Sequence, residues 1–159
     1  MIRKIDASEI AECVSVIRKS FATVAKEFGI TETNCPSHTS FIKAEKLQMQ
    51  YDNGQLMFAC TNKLKIVGYF SLASKGDGNY ELDNLSVLPE YRHKGYGKEM
   101  IIFAVKKARD LGGGKISIGI IEENTQLKNW YCNFGFKHTG TRKFEQLPFT
   151  VGFMEIELV

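Results

Sequence analysis

Basic side chains and glycines converge at one place in this sequence. Arg92-His93-Lys94-Gly95-Tyr96-Gly97-Lys98 follows a strand-like run, Tyr80 to Val87, that is free of Gly and Pro and is stopped by Leu88-Pro89. A strongly periodic helix begins at once after the loop. Strand, glycine-containing turn and helix N-terminus together can bind phosphate. Free N–H groups of the first helical turn point at the anion, and the helix dipole adds partial positive charge. Glycine lets the backbone approach the oxygens, and Arg92, His93, Lys94 and Lys98 surround the spot with basic groups. Two familiar phosphate loops do not fit. Gly-x-x-x-x-Gly-Lys-Ser/Thr fails because Glu99 follows Gly97-Lys98 and position 92 is Arg. The dinucleotide fingerprint Gly-x-Gly-x-x-Gly fails because position 100 is Met. A plainer reading, in which the glycines only shape a turn and the charges are solvated, fits the same residues.

Arg92 to Gly97 does match Arg/Gln-x-x-Gly-x-Gly/Ala behind a strand that ends in Val87-x-Pro89. In this the chain resembles the GNAT superfamily of N-acetyltransferases, where such a loop holds the pyrophosphate of acetyl-coenzyme A. The resemblance implies that Arg92, His93, Lys94, Gly95, Tyr96, Gly97 and Lys98 form that phosphate site. It further implies that Leu85, Ser86 and Val87 bind the coenzyme, its pantetheine bonding to main chain of a strand that splays from its parallel neighbour. The Val87 N–H is then a candidate oxyanion donor, a preorganised dipole of the kind that matters in acyl transfer. A second signature lies downstream: Asn124, then Tyr131, then Gly135-Phe136. The family commonly reads Asn…Ala…Tyr…Gly-Phe, and Leu127 stands here in place of the usual small residue. By the same resemblance, Asn124 contacts the pantetheine or the pyrophosphate side. Tyr131 sits beside the thioester sulfur as general acid for the departing thiolate. The alternative for Tyr131 is a core side chain with its hydroxyl satisfied elsewhere.

Acetyl transfer to an amine needs the nitrogen unprotonated, which a carboxylate, directly or through a water, can provide. Glu81 and Asp83 share parity on the Tyr80–Val87 strand and face one way unless a bulge intervenes. Glu122 and Glu123 close the adjacent parallel strand, and the four acids could form a negative pocket for a cationic amine. Glu81 is the first candidate for base and Asp83 the second, whereas Glu123 reads better as a solvated surface acid. Cys35 and His38 share a loop. A Cys/His nucleophile is disfavoured there, because direct transfer needs none and no orienting partner is evident.

The elements that must position these residues can be read from period and punctuation. Residues 2–5 suggest an edge strand. Asp6-Ala7-Ser8-Glu9 has capping-box form, and Ile10, Val14, Ile17, Phe21, Val24 and Phe28 mark one helical face ending near Gly29. Residues 30–38 form a loop, and a second helix is expected from about Ser40 to Tyr51. Gln55 to Thr61 and Leu64 to Ala73 are β-rich and joined at Asn62-Lys63, with Gly76-Asp77-Gly78-Asn79 turning into the Tyr80 strand. Met100, Ile101, Ala104, Val105, Ala108 and Leu111 mark the next helix, stopped by Gly112-Gly113-Gly114. A strand at 115–121 then lies parallel to 80–87 through a right-handed crossover. A short helix over Asn124–Asn133 and strands at roughly 136–144 and 150–158 complete the chain. The order β-α-α-β-β-β-α-β-α-β-β predicts an α/β fold with a mixed, mostly antiparallel sheet and one parallel pair. That is the GNAT element order, and it predicts one domain over residues 1–159.

Length and composition bound the rest. The chain has 159 residues, 43% hydrophobic and 25% charged, as expected of one soluble globular domain. No apolar run approaches membrane-spanning length, and the polar start does not read as a signal peptide. A net charge of +3 with a pI near 8.6 is too mild to argue for nucleic acid. Cys13, Cys35, Cys60 and Cys132 show no Cys-x-x-Cys spacing, and His38, His93 and His138 stand apart, which disfavours a structural zinc site and suits free thiols in a cytoplasmic setting. The expectation is transfer of the acetyl group of acetyl-CoA to a primary amine. The acceptor is read as a small cationic molecule rather than a protein, attacking directly in a ternary complex formed by a monomer or homodimer. The competing reading is a catalytically silent acyl-CoA sensor or partner-binding module.

Overall fold

The computed structural model describes all 159 residues. Apolar residues at helical spacing make Ile10–Glu27 the first helix, α1, with Ile10, Cys13, Val16 and Ile17 buried. It is entered through a single 3-10 turn, Ala7–Glu9, in which the Glu9 carboxylate accepts the Asp6 N–H at 2.8 Å and ion-pairs with Arg3 at 2.7 Å. The second helix, α2, runs Ala44–Asp52 and so starts later than its sequence suggests. Thr39–Phe41 forms a separate 3-10 turn, capped by His38, whose Nδ1 accepts the Ser40 N–H.

Seven strands follow the expected order of elements: β1 (Ile2–Lys4), β2 (Leu56–Asn62), β3 (Lys65–Ser74), β4 (Tyr80–Val87), β5 (Lys115–Ile121), β6 (Lys137–Lys143) and β7 (Thr150–Glu157). Between β4 and β5 lies α3 (Tyr96–Asp110), and between β5 and β6 lies α4 (Thr125–Cys132). The sheet order is β1-β2-β3-β4-β5-β7-β6. Every pairing is antiparallel except β4 with β5. The β2–β3 turn sits at Lys63–Leu64, one residue beyond the expected Asn62–Lys63, because Asn62 pairs with Lys65 and Lys63 takes the left-handed conformation such a tight turn requires (φ 57°).

Two cores flank the sheet. On one face α1 and α2 pack Ile10, Cys13, Ile17 and Leu47 against Met57, Ala59, Ile66 and Tyr69. On the other, α3 and α4 pack Met100, Ile101, Ala104 and Tyr131 against Phe58, Phe70, Leu72, Leu82 and Ile118.

Two irregularities in β4 shape everything near the site. Parallel pairing to β5 is confined to Tyr80–Ile116 and Glu81–Ser117, after which the two strands part. The resulting gap opens toward the β4 C-terminus, while β5 stays paired with β7 along its whole length. The second irregularity is a bulge. Tyr69 pairs with Ser86 and Ser71 with Asp83, so Phe70 alone faces both Asn84 and Leu85. Asn84 absorbs the extra residue at φ 56°, a conformation Asn tolerates better than most side chains. The bulge lies after Asp83, so Glu81 and Asp83 keep a common face toward α1 and α2. Beyond it, Leu85 and Val87 turn to the α3 face.

Candidate functional site

The loop before α3 presents its amides outward. None of the main-chain N–H groups from His93 to Lys98 donates to another group of the protein; the first to do so is that of Glu99, which reaches the Gly95 carbonyl at 3.0 Å. His93, Lys94, Gly95 and Lys98 are exposed there. Gly95 is required by its φ of 91°, and His93 is also left-handed at 62°. Gly97 is required by contact, since a Cβ at that position would lie 3.0 Å from the Trp130 ring of α4. Consecutive free amides, a helix N-terminus and flanking cations make an anion cradle. Arg92 does not join it in this structure. Its guanidinium folds back onto α1, donating to the Ser20 carbonyl at 2.8 Å and to Thr23 Oγ1 at 2.9 Å.

The gap between β4 and β5 leads away from this cradle. In antiparallel register with Gly68, the Val87 N–H points away from β3 and into the gap. That amide is already engaged, donating to Ser20 Oγ of α1 at 3.3 Å. The candidate oxyanion amide thus faces a serine hydroxyl of α1. The Ser86 hydroxyl, fully buried, donates to the Asn84 carbonyl across the bulge at 2.7 Å. On the far side, Asn124 Oδ1 accepts the Leu127 N–H at 3.1 Å and caps α4, which leaves its amide NH2 for other partners. Leu127 packs on the α3–α4 core together with Trp130. Tyr131 is 6% exposed and sits edge-on to Trp130 and Phe136. Burial raises its phenol above the ordinary range, so it holds its proton as a donor must.

The acids separate into different roles. Glu81 ion-pairs with Lys75 at 3.1 Å. Burial tends to raise Glu81, but hydrogen bonding with Asp83 and with Lys75 outweighs it and the net shift is downward. Asp83 is pushed the other way, up to about 8, by burial first and by the Glu81 carboxylate second. The pair therefore behaves as two carboxylates holding one proton, with the proton on Asp83. Close by on the same face, the Tyr69 hydroxyl is fully buried without a hydrogen-bond partner, as is Gln50 Oε1 of α2. Glu122 is not part of a shared negative pocket, since its carboxylate is held by Lys128 and by His138 Nε2. Glu123 is exposed. Cys35 and His38 make no dyad: the buried thiol lies 3.9 Å from Ser37 Oγ, and the imidazole Nδ1 is taken by Ser40 at 2.7 Å.

An anion cradle, a gap lined by strand edges and a buried phenol on α4 are the features that the sequence resemblance expects of an acyl-coenzyme A site. The family described as acetyltransferase (GNAT) matches residues 24–136, and the chain belongs to that family. It is an acetyl-CoA-dependent N-acetyltransferase. Among curated proteins it is 21% identical over 159 residues to an uncharacterized N-acetyltransferase in the pepI 3′ region of Lactobacillus delbrueckii subsp. lactis, an alignment covering 95% of this chain and 89% of that one. The PaiA N-acetyltransferase of Thermoplasma acidophilum, solved in complex with coenzyme A, superposes with a TM-score of 0.80 at 22% identity, covering 99% of this chain and 98% of that one. The ribosomal-protein-S18-alanine N-acetyltransferase of Escherichia coli gives a TM-score of 0.80 at 12% identity, covering 99% and 93%.

Three contributors escaped sequence reasoning. Lys75 lies outside every motif, and its link to Glu81 spans the β3–β4 turn. Trp130 is not a position of either motif, yet its packing beside Gly97 joins α4 to the cradle. Ser20 did leave a trace: it is a polar residue set between Ile17 and Val24 on the otherwise apolar face of α1.

Proposed function

We propose that the acceptor is a small-molecule primary amine, cationic in water, and that it attacks acetyl-CoA directly in a ternary complex. The Glu81–Asp83 pair carries this reading. A half-buried carboxyl pair with net negative charge attracts an ammonium and can take its proton, and Asp83 is the member that titrates near working pH. The partnerless Tyr69 hydroxyl and Gln50 Oε1 on the same face of the sheet suit a polar occupant rather than an apolar one. Acetyl-CoA supplies the acyl group as a thioester. The ammonium first gives one proton to the carboxyl pair, which passes it to solvent; the neutral nitrogen then forms the new C–N bond and gives a second proton to the pair. The C–S bond breaks, and the thiolate takes its proton from Tyr131. Solvent returns one proton to Tyr131 and accepts one from the pair, leaving an amide and free CoA. The amides from His93 to Lys98 hold the diphosphate, and Leu85 and Val87 border the pantetheine.

The test is thiol release from acetyl-CoA across a panel of polyamines, aminoglycosides and amino acids. Turnover with one amine class is expected, and Tyr131→Phe should lower kcat about 100-fold while CoA affinity, read by calorimetry, stays within twofold. Tight CoA binding with no turnover on any amine would instead identify a silent coenzyme sensor. Wild-type activity in Tyr131→Phe would remove the acid role.

A further inference from the structure

Ser20 has no assigned role, yet its surroundings are unusual for a helical serine. It is 7% exposed, in the line of α1 residues that faces the sheet. Its Oγ accepts the Val87 N–H at 3.3 Å and lies 3.4 Å from Arg92 Nη2. Its own hydroxyl proton meets no acceptor in the protein, although a mid-helix serine ordinarily bonds back to the preceding turn. With both lone pairs of the oxygen engaged, that proton is left for an atom in the gap where β4 and β5 part.

We propose that the Ser20 hydroxyl is the oxyanion donor of this enzyme, with Val87 and Arg92 acting through it. The inference rests on the acetyl-transfer reading above. A hydroxyl that accepts from both an amide and a guanidinium cation is polarised into a stronger donor. As the amine nitrogen bonds to the thioester carbon, the carbonyl π pair moves onto oxygen. Ser20 holds that oxygen by a hydrogen bond and transfers no proton to it. When the pair returns, the C–S bond breaks, sulfur takes the Tyr131 proton, and the surplus proton on nitrogen goes to Glu81–Asp83. Arg92 has a second consequence. It ties α1, which flanks the acceptor side, to the loop that carries the phosphate cradle, so both substrates bear on one hydroxyl.

Ser20→Ala should lower kcat about 100-fold, the scale of losing one oxyanion donor. Affinity for CoA, which lacks the thioester carbonyl, should stay within twofold. A second readout avoids turnover: the infrared carbonyl stretch of bound acetyl-CoA should lie lower in the wild type than in Ser20→Ala. If Ser20→Ala fails to fold or loses CoA binding, Ser20→Cys, of similar size but a weak donor, decides the matter by the same measurements. A kcat within threefold of wild type, or an unchanged carbonyl frequency, overturns the proposal. Absence of any amine acetylation by the wild type would overturn the reading of function instead, and the carbonyl frequency would still report whether Ser20 touches the thioester.

Discussion

At the scale of single residues, the decisive contrast is between two carboxylates two positions apart. Hydrogen bonding with Asp83 and then with Lys75 outweighs burial and keeps Glu81 ionised, and burial beside that charge leaves Asp83 carrying the proton. With Asp83 protonated, Glu81 is left as the acceptor and its carboxylate is already engaged by Lys75, so kcat/KM should rise as Asp83 ionises and level off above about 8. Asp83→Asn should cost at least about 100-fold in kcat/KM and flatten this profile, which a pH–rate series checks. An unchanged inflection in that variant would assign the titration to the amine itself. Strand parity places both acids on one face and does not rank them. The ordering between them depends on Lys75 and on α1 and α2 overhead, contacts that only the folded chain makes.

At the scale of elements, the cradle depends on how α3 starts. Gly95 turns the chain at φ 91°, and Gly97 lets the helix end meet Trp130. Forcing a Cβ into the left-handed region costs on the order of 1–3 kcal/mol. Gly95→Ala should therefore weaken CoA binding by about tenfold or more and lower the melting temperature, read by calorimetry and thermal unfolding. These glycines, the strand before them and the helix after them were all legible in the sequence, because each is a local device with its own residue signature. The bulge at Asn84 was not. Its position is set by how β4 registers against β3, and an Asn in a strand-like run admits several readings. Arg92 shows the same limit, since the motif locates the residue but not the helix onto which its side chain folds.

For the whole molecule, two carboxylates pull stability in opposite directions with pH. Glu9 is held down to about 2 by the Arg3 hydrogen bond and the Asp6 N–H, so it stabilises the fold above its ordinary range and loses that contribution as pH falls. Asp83 binds its proton more tightly folded than unfolded, so its penalty grows as pH rises from about 4 to about 8 and is constant above. Melting temperature should peak near pH 5 and decline toward pH 8. Asp83→Asn should remove that decline, gaining on the order of 1 kcal/mol, or about 2–4 °C, at pH 8. A variant that is more stable yet less active marks a residue kept for chemistry. The order of strands and helices, and the single parallel pair, followed from period and turns along the whole chain.

The parting of β4 from β5 has a mechanical corollary. A continuous ladder resists insertion because every rung would have to be broken first. Here the rungs beyond Glu81 and Ser117 are not made, so a guest carrying amide groups would complete a lattice that folding left unfinished. Entry of such a guest would require no rung of the ladder to be broken.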